Sequence, residues 1–260
     1  MNVHRPYDDC TFNPIILIPS YNPGIKGIET VRNAAKVFSP LLVVSDGSTD
    51  GSDSDIEAFS KTQAGVTLLR LPINRGKGSA VLHGVEWAKK QGFTHVLTMD
   101  ADGQHPAARI HDFMEISRRY PRAMILGTPL FSEDAPMIRV KGRRISNWWA
   151  NLETLWTGIG DSLFGFRMYP IVPLIAVLQS NRWMRRFDFD PEVVVRLRWS
   201  GVQAINLPTE VRYPSKEEGG VSHFRYGRDN ALLTSMHIRL FLEFLCRLPY
   251  LLVRRITSDR

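Results

Sequence analysis

The sequence predicts an α/β fold: a mostly parallel sheet covered by helices on both faces. Three observations predict it. Five short apolar runs, IILI (15–18), LLVV (41–44), VTLLRL (66–71), HVLTM (95–99) and AMIL (123–126), read as buried strands too short for helices. Between them, residues 27–38, 53–63, 78–90 and 107–119 carry apolar side chains at helix-like spacing. The units recur roughly every 25–30 residues, which suits right-handed crossovers between parallel strands.

Taken in order, the strands run into polar motifs: PSYN after the first, SDGSTDGS after the second, NRGKGS after the third and DADGQ after the fourth. Ligands of open α/β sheets bind beyond the carboxyl ends of the strands, so four such motifs at one edge point to a single site. In SDGSTDGS, Ser52 or Asp53 suits a helix cap. Asp46 lies nearer the strand end, where a carboxylate could accept hydrogen bonds from a nucleobase imide or a ribose. In NRGKGS, the glycines allow close backbone approach, and Arg75 and Lys77, with Asn74 beside them, supply positive charge for a diphosphate ahead of a helix. It is not a P-loop, because position 71 is Leu and Gly78 follows Lys77. In DADGQ, Asp100, Asp102 and Gln104 stand at i, i+2 and i+4, which converge if the backbone is extended. Their oxygens suit Mg²⁺ or Mn²⁺ held together with substrate phosphates. The alternative is a solvated turn around Asp102 and Gly103.

Composition narrows the partners. The 260 residues carry a net charge of +7 and a pI near 9.6, a balance that suits a polyanionic partner. Nucleic acid is one such partner, but the two acids at a strand end argue against it. Cys10 and Cys246 supply neither a disulfide framework nor a zinc site. No signal-peptide core, transit pattern or long uncharged apolar window is apparent, so the expected location is cytoplasmic.

The second half is less regular. IRVKGRRISNWWANLETLW (138–156) interleaves cations with Trp148, Trp149 and Trp156, a mixture that suits a membrane interface, a nucleic acid or a helix with a buried aromatic face. In FDFDPEVV (187–194), Asp190 reads as a helix cap with Pro191 at the first position. The loop 214–225 brings His223 with Arg225 and Arg228, as a lid with phosphate contacts. The other histidines, His83, His95 and His105, show no metal spacing and default to surface or core roles. The segment 231–255 is apolar around most of its helical circumference, interrupted by His237, Arg239, Glu243, Arg247 and Pro249. It suits an in-plane interfacial helix, a dimer interface or a core helix, and charge interrupts it too often for a span.

PSYN, SDGSTD, NRGKG, MDADGQHP and DSLFGFR, in this order and spacing, resemble the family 2 inverting glycosyltransferases of the GT-A fold, in particular the dolichyl- and polyprenyl-phosphate mannose and glucose synthases. The resemblance covers roughly residues 13–213. It implies that Pro19, Tyr21 and Asp46 line a nucleoside pocket, and that Asp100, Asp102 and Gln104 hold a metal on the donor diphosphate. It also implies that Asp161 to Arg167 border the acceptor, with Arg139, Arg143, Arg144 and Ser146 meeting a lipid phosphate. Asp188 or Asp190 falls where the family often keeps a carboxylate facing the acceptor. One departure is Ser45, which precedes Asp46 where many relatives have a second acid.

The expected reaction is inverting transfer of a sugar from a UDP- or GDP-sugar to an acceptor, most readily a polyprenyl phosphate. A lipid phosphate attacks unaided, whereas a hydroxyl acceptor needs a base, Asp190 ahead of Asp188. The competing classes are a nucleotidyltransferase and a catalytically idle membrane-associated binding protein. The expected organisation is a catalytic domain over 1–228, with a nucleotide half over 13–130 and an acceptor half over 131–228, followed by an amphipathic tail over 229–260. The expected location is the cytoplasmic face of a membrane, with peripheral association.

Overall fold

The structure, a computed structural model, describes residues 12–131, 137–211 and 225–258. Seven strands form one sheet: β1 (Pro14–Ser20), β2 (Leu41–Asp46), β3 (Val66–Leu71), β4 (His95–Thr98), β5 (Met124–Leu130), β6 (Arg167–Pro170) and β7 (Ala204–Glu210). The helices are α1 (Ile25–Val37), α2 (Ser52–Thr62), α3 (Lys77–Lys90), α4 (Ile110–Arg119), α5 (Met137–Glu153), α6 (Ile171–Gln179), α7 (Phe189–Trp199) and α8 (Tyr226–Ser258). The five expected strands and four expected helices all appear. The exception in detail is the 107–119 segment, which opens as a 3₁₀ turn, Ala107–Arg109, before α4.

Across the sheet the order is β3-β2-β1-β4-β6-β5-β7. Neighbours are parallel except around β6, which runs antiparallel to both β4 and β5. The lack of alternation in the apolar runs now has its reason: successive residues serve two cores. Ile15, Leu17, Leu42 and Val44 lie against α3, in a core that α6, α7 and α8 complete. Ile16, Ile18, Leu41 and Val43 face α1, α2 and α4. Each buried Ile, Leu or Val contributes about 1.5–3 kcal/mol over exposure, which makes both faces necessary to the sheet.

β1 has β2 on one side and β4 on the other, so the chain reverses its direction of travel across the sheet there. That switch opens a crevice at the carboxyl ends of β1 and β4, just where PSYN and DADGQ begin. The second half is not a separate layer, because it contributes β6 and β7 to the same sheet. Neither was legible as a strand. β6 is four residues including Arg167 and Pro170, and β7 carries Pro208, which an edge strand tolerates.

α8 is a core helix on one face. Met236, Leu240, Phe244 and Leu251 are buried in that core, and the helix packs against α5 and α7. The expected boundary at 229 falls inside this helix, which begins at Tyr226. Ion pairs reinforce the seam: the buried Glu192 of α7 is held by Arg196 at 2.8 Å and by Arg239 of α8. Arg196 also reaches Glu243 of α8 at 2.8 Å. Among the described residues, no helix is long and apolar enough to cross a membrane.

Candidate active site

Loops at the carboxyl edge are stitched to one another before they can hold anything else. The Asn22 side chain accepts the Thr49 N–H at 2.7 Å, and Asp50 accepts the Gly24 N–H at 2.9 Å, joining the β1–α1 and β2–α2 loops. Asp50 also accepts from the Ser52 N–H at 3.1 Å, so the residue bracing the start of α2 is Asp50, with Gly51 as N-cap, instead of Ser52 or Asp53. Asp46 is buried at the end of β2 and accepts the Arg75 and Gly76 N–H groups at 2.9 and 2.6 Å. Its carboxylate therefore sets the NRGKG loop, though each oxygen keeps a further lone pair. A side chain at Gly47, where φ is +70°, would meet the Asn74 backbone at 2.7 Å, so the two loops touch only because this residue is glycine.

The loop positions Lys77, the first residue of α3, at the centre of the crevice. Its ammonium lies 2.7 Å from Asp100 Oδ1 and 2.7 Å from Asp190 Oδ2. Asp100 arrives from β4, and Asp190 from the first turn of α7. Gly165, in the DSLFGFR motif, walls this contact: a Cβ there would come within 2.5 Å of Lys77 Nζ and 2.7 Å of Asp100 Oδ2. The Gly165 carbonyl accepts from Thr98 Oγ1 at 2.9 Å, which fixes the approach.

DADGQ is a turn and not an extended strand end. β4 stops at Thr98, Gly103 has φ +77°, and Asp102 Oδ1 accepts the Gln104 N–H at 3.0 Å. The i, i+2, i+4 argument from extended backbone is corrected accordingly: Asp100 and Asp102 are brought close by the turn. His105 anchors it from below, accepting the Asp100 N–H at 2.9 Å while stacked on Phe166 at 5.1 Å. Burial pushes the His105 imidazole down to about 4, so the ring is neutral at pH 7.

Burial raises the Asp102 carboxyl to about 7, and the charge of Asp100 adds to the rise. Burial also raises Asp100, but the Lys77 ammonium beside it outweighs this and holds that carboxyl below its usual range. Asp190 is raised by burial, which Lys77 and Arg167 offset only in part. Burial opposes the charge on Lys77, yet Asp100 and Asp190 more than restore it, so the ammonium stays protonated. With hard oxygen donors on a turn walled by Gly165, Asp100 and Asp102 fit a divalent cation. Among the described residues, no three acidic, His or Cys side chains already converge as a ligand set.

Behind this cluster lies a second one. Arg167 is fully buried and donates to the Asp190 carbonyl at 2.5 Å, the Tyr169 hydroxyl at 3.2 Å and the Asp161 carbonyl at 3.3 Å. It braces both walls of the crevice from within. Asp161 is gripped by Arg143 at 2.6 Å and accepts the Leu163 and Phe164 N–H groups. Ser146 is buried, 3.1 Å from Ser162 Oγ and 3.1 Å from His237 Nε2, and His237 in turn meets Glu153 at 3.0 Å. This relay ties α5 to α8.

The expected site residues thus divide. Lys77, Asp100 and Asp190 are in contact, and Asp102 and Gln104 share their turn. Pro19 is buried in β1, Tyr21 is exposed at its end, and Asn74 and Arg75 lie in the adjoining loop. Asp188 is not brought to the gathering point. Its carboxylate accepts the Met184 and Arg186 N–H groups at 3.1 and 2.9 Å, within its own loop. Asp190 is not the α7 cap, since the helix begins one residue earlier at Phe189. Arg144 and Arg225 are exposed, and the Arg139 side chain lies outside the described residues, as does the loop to residue 224 with His223. Sequence reasoning missed three contributors: Gly165, His105 and Arg186, whose guanidinium reaches Asn74 Oδ1 at 3.5 Å. Only His105 and Gly165 carried a signal, as members of motifs already singled out.

Comparison with known proteins gives the chain its relatives. A dolichyl-phosphate beta-glucosyltransferase of Trichomonas vaginalis is 27% identical over 65% of this chain and 53% of its own length. The chain spans about half the length of the Trichomonas relatives it matches. A polyprenol monophosphomannose synthase of Mycolicibacterium smegmatis is 27% identical over 82% of this chain and 83% of its own. Glucosyl-3-phosphoglycerate synthase from Mycobacterium tuberculosis, solved with Mn²⁺, UDP-glucose and phosphoglyceric acid, shares the fold with a TM-score of 0.61 at 14% identity, over 89% of this chain and 79% of that one. The fold is GT-A. Residues 15–188, more than half of the chain, match the family model for glycosyl transferase family 2, and the chain belongs to that family.

Proposed function

We propose that the protein transfers a hexose, with inversion, from a UDP- or GDP-sugar to the phosphate of a polyprenyl-type lipid. The observation that carries this reading is the contact of Lys77 with Asp100 and Asp190 at the switch point of the sheet, with Asp102 on the same turn, beside the cationic NRGKG loop. In the reaction an acceptor phosphate oxygen bonds to the anomeric carbon from the face opposite the leaving group. The bond from that carbon to the diphosphate oxygen breaks, and the nucleoside diphosphate departs with the electron pair. Arg75, Lys77 and the N-terminus of α3 stabilise the charge building on it. A divalent ion held by Asp100, Asp102 and Gln104 would supply further charge neutralisation when bound.

An ionised lipid phosphate needs no base. A second reading, transfer to a hydroxyl, is favoured by the raised proton affinity of Asp190, which suits a group that collects a proton. Tyr21, Pro19 and Asp46 are assigned to the nucleoside, while Arg143, Arg144 and Asp161 border the acceptor, with Ser146 and Arg167 bracing that side from within. The relatives named as dolichyl- and polyprenyl-phosphate transferases support the lipid acceptor. The catalytic body takes in the buried face of α8, and the opposite face of that helix would seat the protein peripherally on a membrane: Ile238, Leu242, Leu245, Leu252 and Ile256 form one exposed apolar stripe, with Arg247 and Arg255 exposed on the same helix.

The test is calorimetric titration with UDP and with GDP, each with and without Mn²⁺. Metal-dependent binding of one nucleotide, lost in Asp102→Asn, supports the reading and names the base. Binding of neither contradicts it and favours an idle binding protein.

A further inference from the structure

We infer that Lys77 is an exchangeable counter-cation. Its ammonium fills the cation seat between Asp100 and Asp190 until a metal-bound nucleotide diphosphate draws it away, so divalent metal alone is excluded and metal with nucleotide is admitted. The inference rests on the donor reading above and deepens it.

Geometry is the argument. One ammonium sits at 2.7 Å from each of two carboxylates, one offered to the metal and the other facing the acceptor. Lys77 is only 16% exposed and Asp190 only 9%, so water screens the contact poorly. Gly165 closes the seat from the side, with space for no side chain between its backbone and the Lys77–Asp100 pair. A divalent ion on Asp100 would therefore share one carboxylate with an ammonium at contact distance, and like charges repel there. The second cation of the cluster cannot yield instead, because Arg167 is held by three acceptors and fully buried. Lys77 can yield. It stands on a flexible four-carbon stem at the first residue of α3, the end of the helix that faces an incoming diphosphate. A diphosphate gives the ammonium a new anionic partner at the moment the metal takes Asp100. Asp190 is then released from its ion pair only when donor is present.

The experiment measures Mn²⁺ binding by the electron paramagnetic resonance of free Mn²⁺, for the wild type, Lys77→Gln and Lys77→Met, with and without UDP or GDP. We expect the wild type to bind Mn²⁺ weakly alone and at least about tenfold more tightly with nucleotide, within the usual range of coupling between two ligands. Both variants should bind Mn²⁺ alone about tenfold more tightly than the wild type, and nucleotide should help them less. Variants with unchanged or weaker Mn²⁺ binding, alongside normal metal-dependent nucleotide binding by the wild type, overturn the inference alone. A wild type that binds no nucleotide even with Mn²⁺ overturns the donor reading and this inference with it. Should neither variant fold, a crystal structure of the wild type with Mn²⁺ and nucleotide decides. Lys77 Nζ beyond about 4 Å from Asp100, the outer limit of an ion pair, supports the exchange, and a retained ion pair refutes it.

Discussion

Two glycines near Lys77 make a sharp test, because the same substitution should do opposite things at each. At Gly165 an added Cβ would meet Lys77 Nζ at 2.5 Å and Asp100 Oδ2 at 2.7 Å, both the tips of side chains that can turn away. At Gly78 it would meet the Met184 carbonyl oxygen at 1.8 Å and its carbon at 2.8 Å, where only backbone can move. Gly165→Ala should therefore change stability by less than about 1 kcal/mol, since Ala also gains about 0.4–1 kcal/mol from a stiffer unfolded chain. Its damage falls on the site: displacing Lys77 and Asp100 by close to 1 Å should lower kcat/KM about a hundredfold. Gly78→Ala forces α3 away from the 184–189 turn and should cost about 3 kcal/mol, the upper part of the overpacking range. For a chain of this size that lowers Tm by roughly 6–10 °C. Thermal unfolding and a radiolabelled transfer assay on both variants check this. Gly165→Ala with activity within about threefold of wild type, or Gly78→Ala with an unchanged Tm, would refute the reasoning.

Other predictions concern charge and the tail. The Asp102 carboxyl stands at about 7 when folded against an ordinary 3.8, so the native state holds the extra proton between those values. Stability of metal-free protein should consequently fall as pH rises through that window and level off above it. Asp102→Asn should remove that contribution, becoming more stable relative to wild type from pH 5 to 8 while losing transfer activity; parallel unfolding midpoints across the range would contradict the assignment. Glu192→Ala strips the buried partner of Arg196 and Arg239 and should cost about 3–5 kcal/mol in urea unfolding. Replacing Ile238 and Leu242, exposed at 59% and 60%, with Glu should leave stability within about 0.5 kcal/mol each and abolish co-sedimentation with anionic vesicles. Retained sedimentation would remove the stripe from the membrane account.

What could be read from the sequence followed from local pattern. Apolar runs such as IILI and LLVV announce strands because both their faces are buried, and the polar residues after them announce the edge where a site forms. What could not be read depends on pairing across long separations. Nothing near Lys77 signals that its partner is Asp190, 113 residues away. Nothing in FDFD tells Asp188, which clamps its own loop, from Asp190, which faces the crevice. The same limit hid β6: RMYP is a strand only because β4 and β5 leave a gap between them. Arg167 looked available for an acceptor in one dimension and is a fully buried brace in three. The tail's two apolar faces were visible as composition, but only the burial of its own Met236, Leu240 and Phe244 shows which face the core takes.

The most direct test of the central claim is a transfer assay with purified protein, Mn²⁺, polyprenyl phosphate and radiolabelled UDP-glucose or GDP-mannose. The account predicts label passing into the organic phase from one donor, dependent on the lipid phosphate and absent in Asp102→Asn. Label that never leaves the aqueous phase with either donor, from protein that binds the nucleotide with metal, would contradict the lipid-phosphate acceptor.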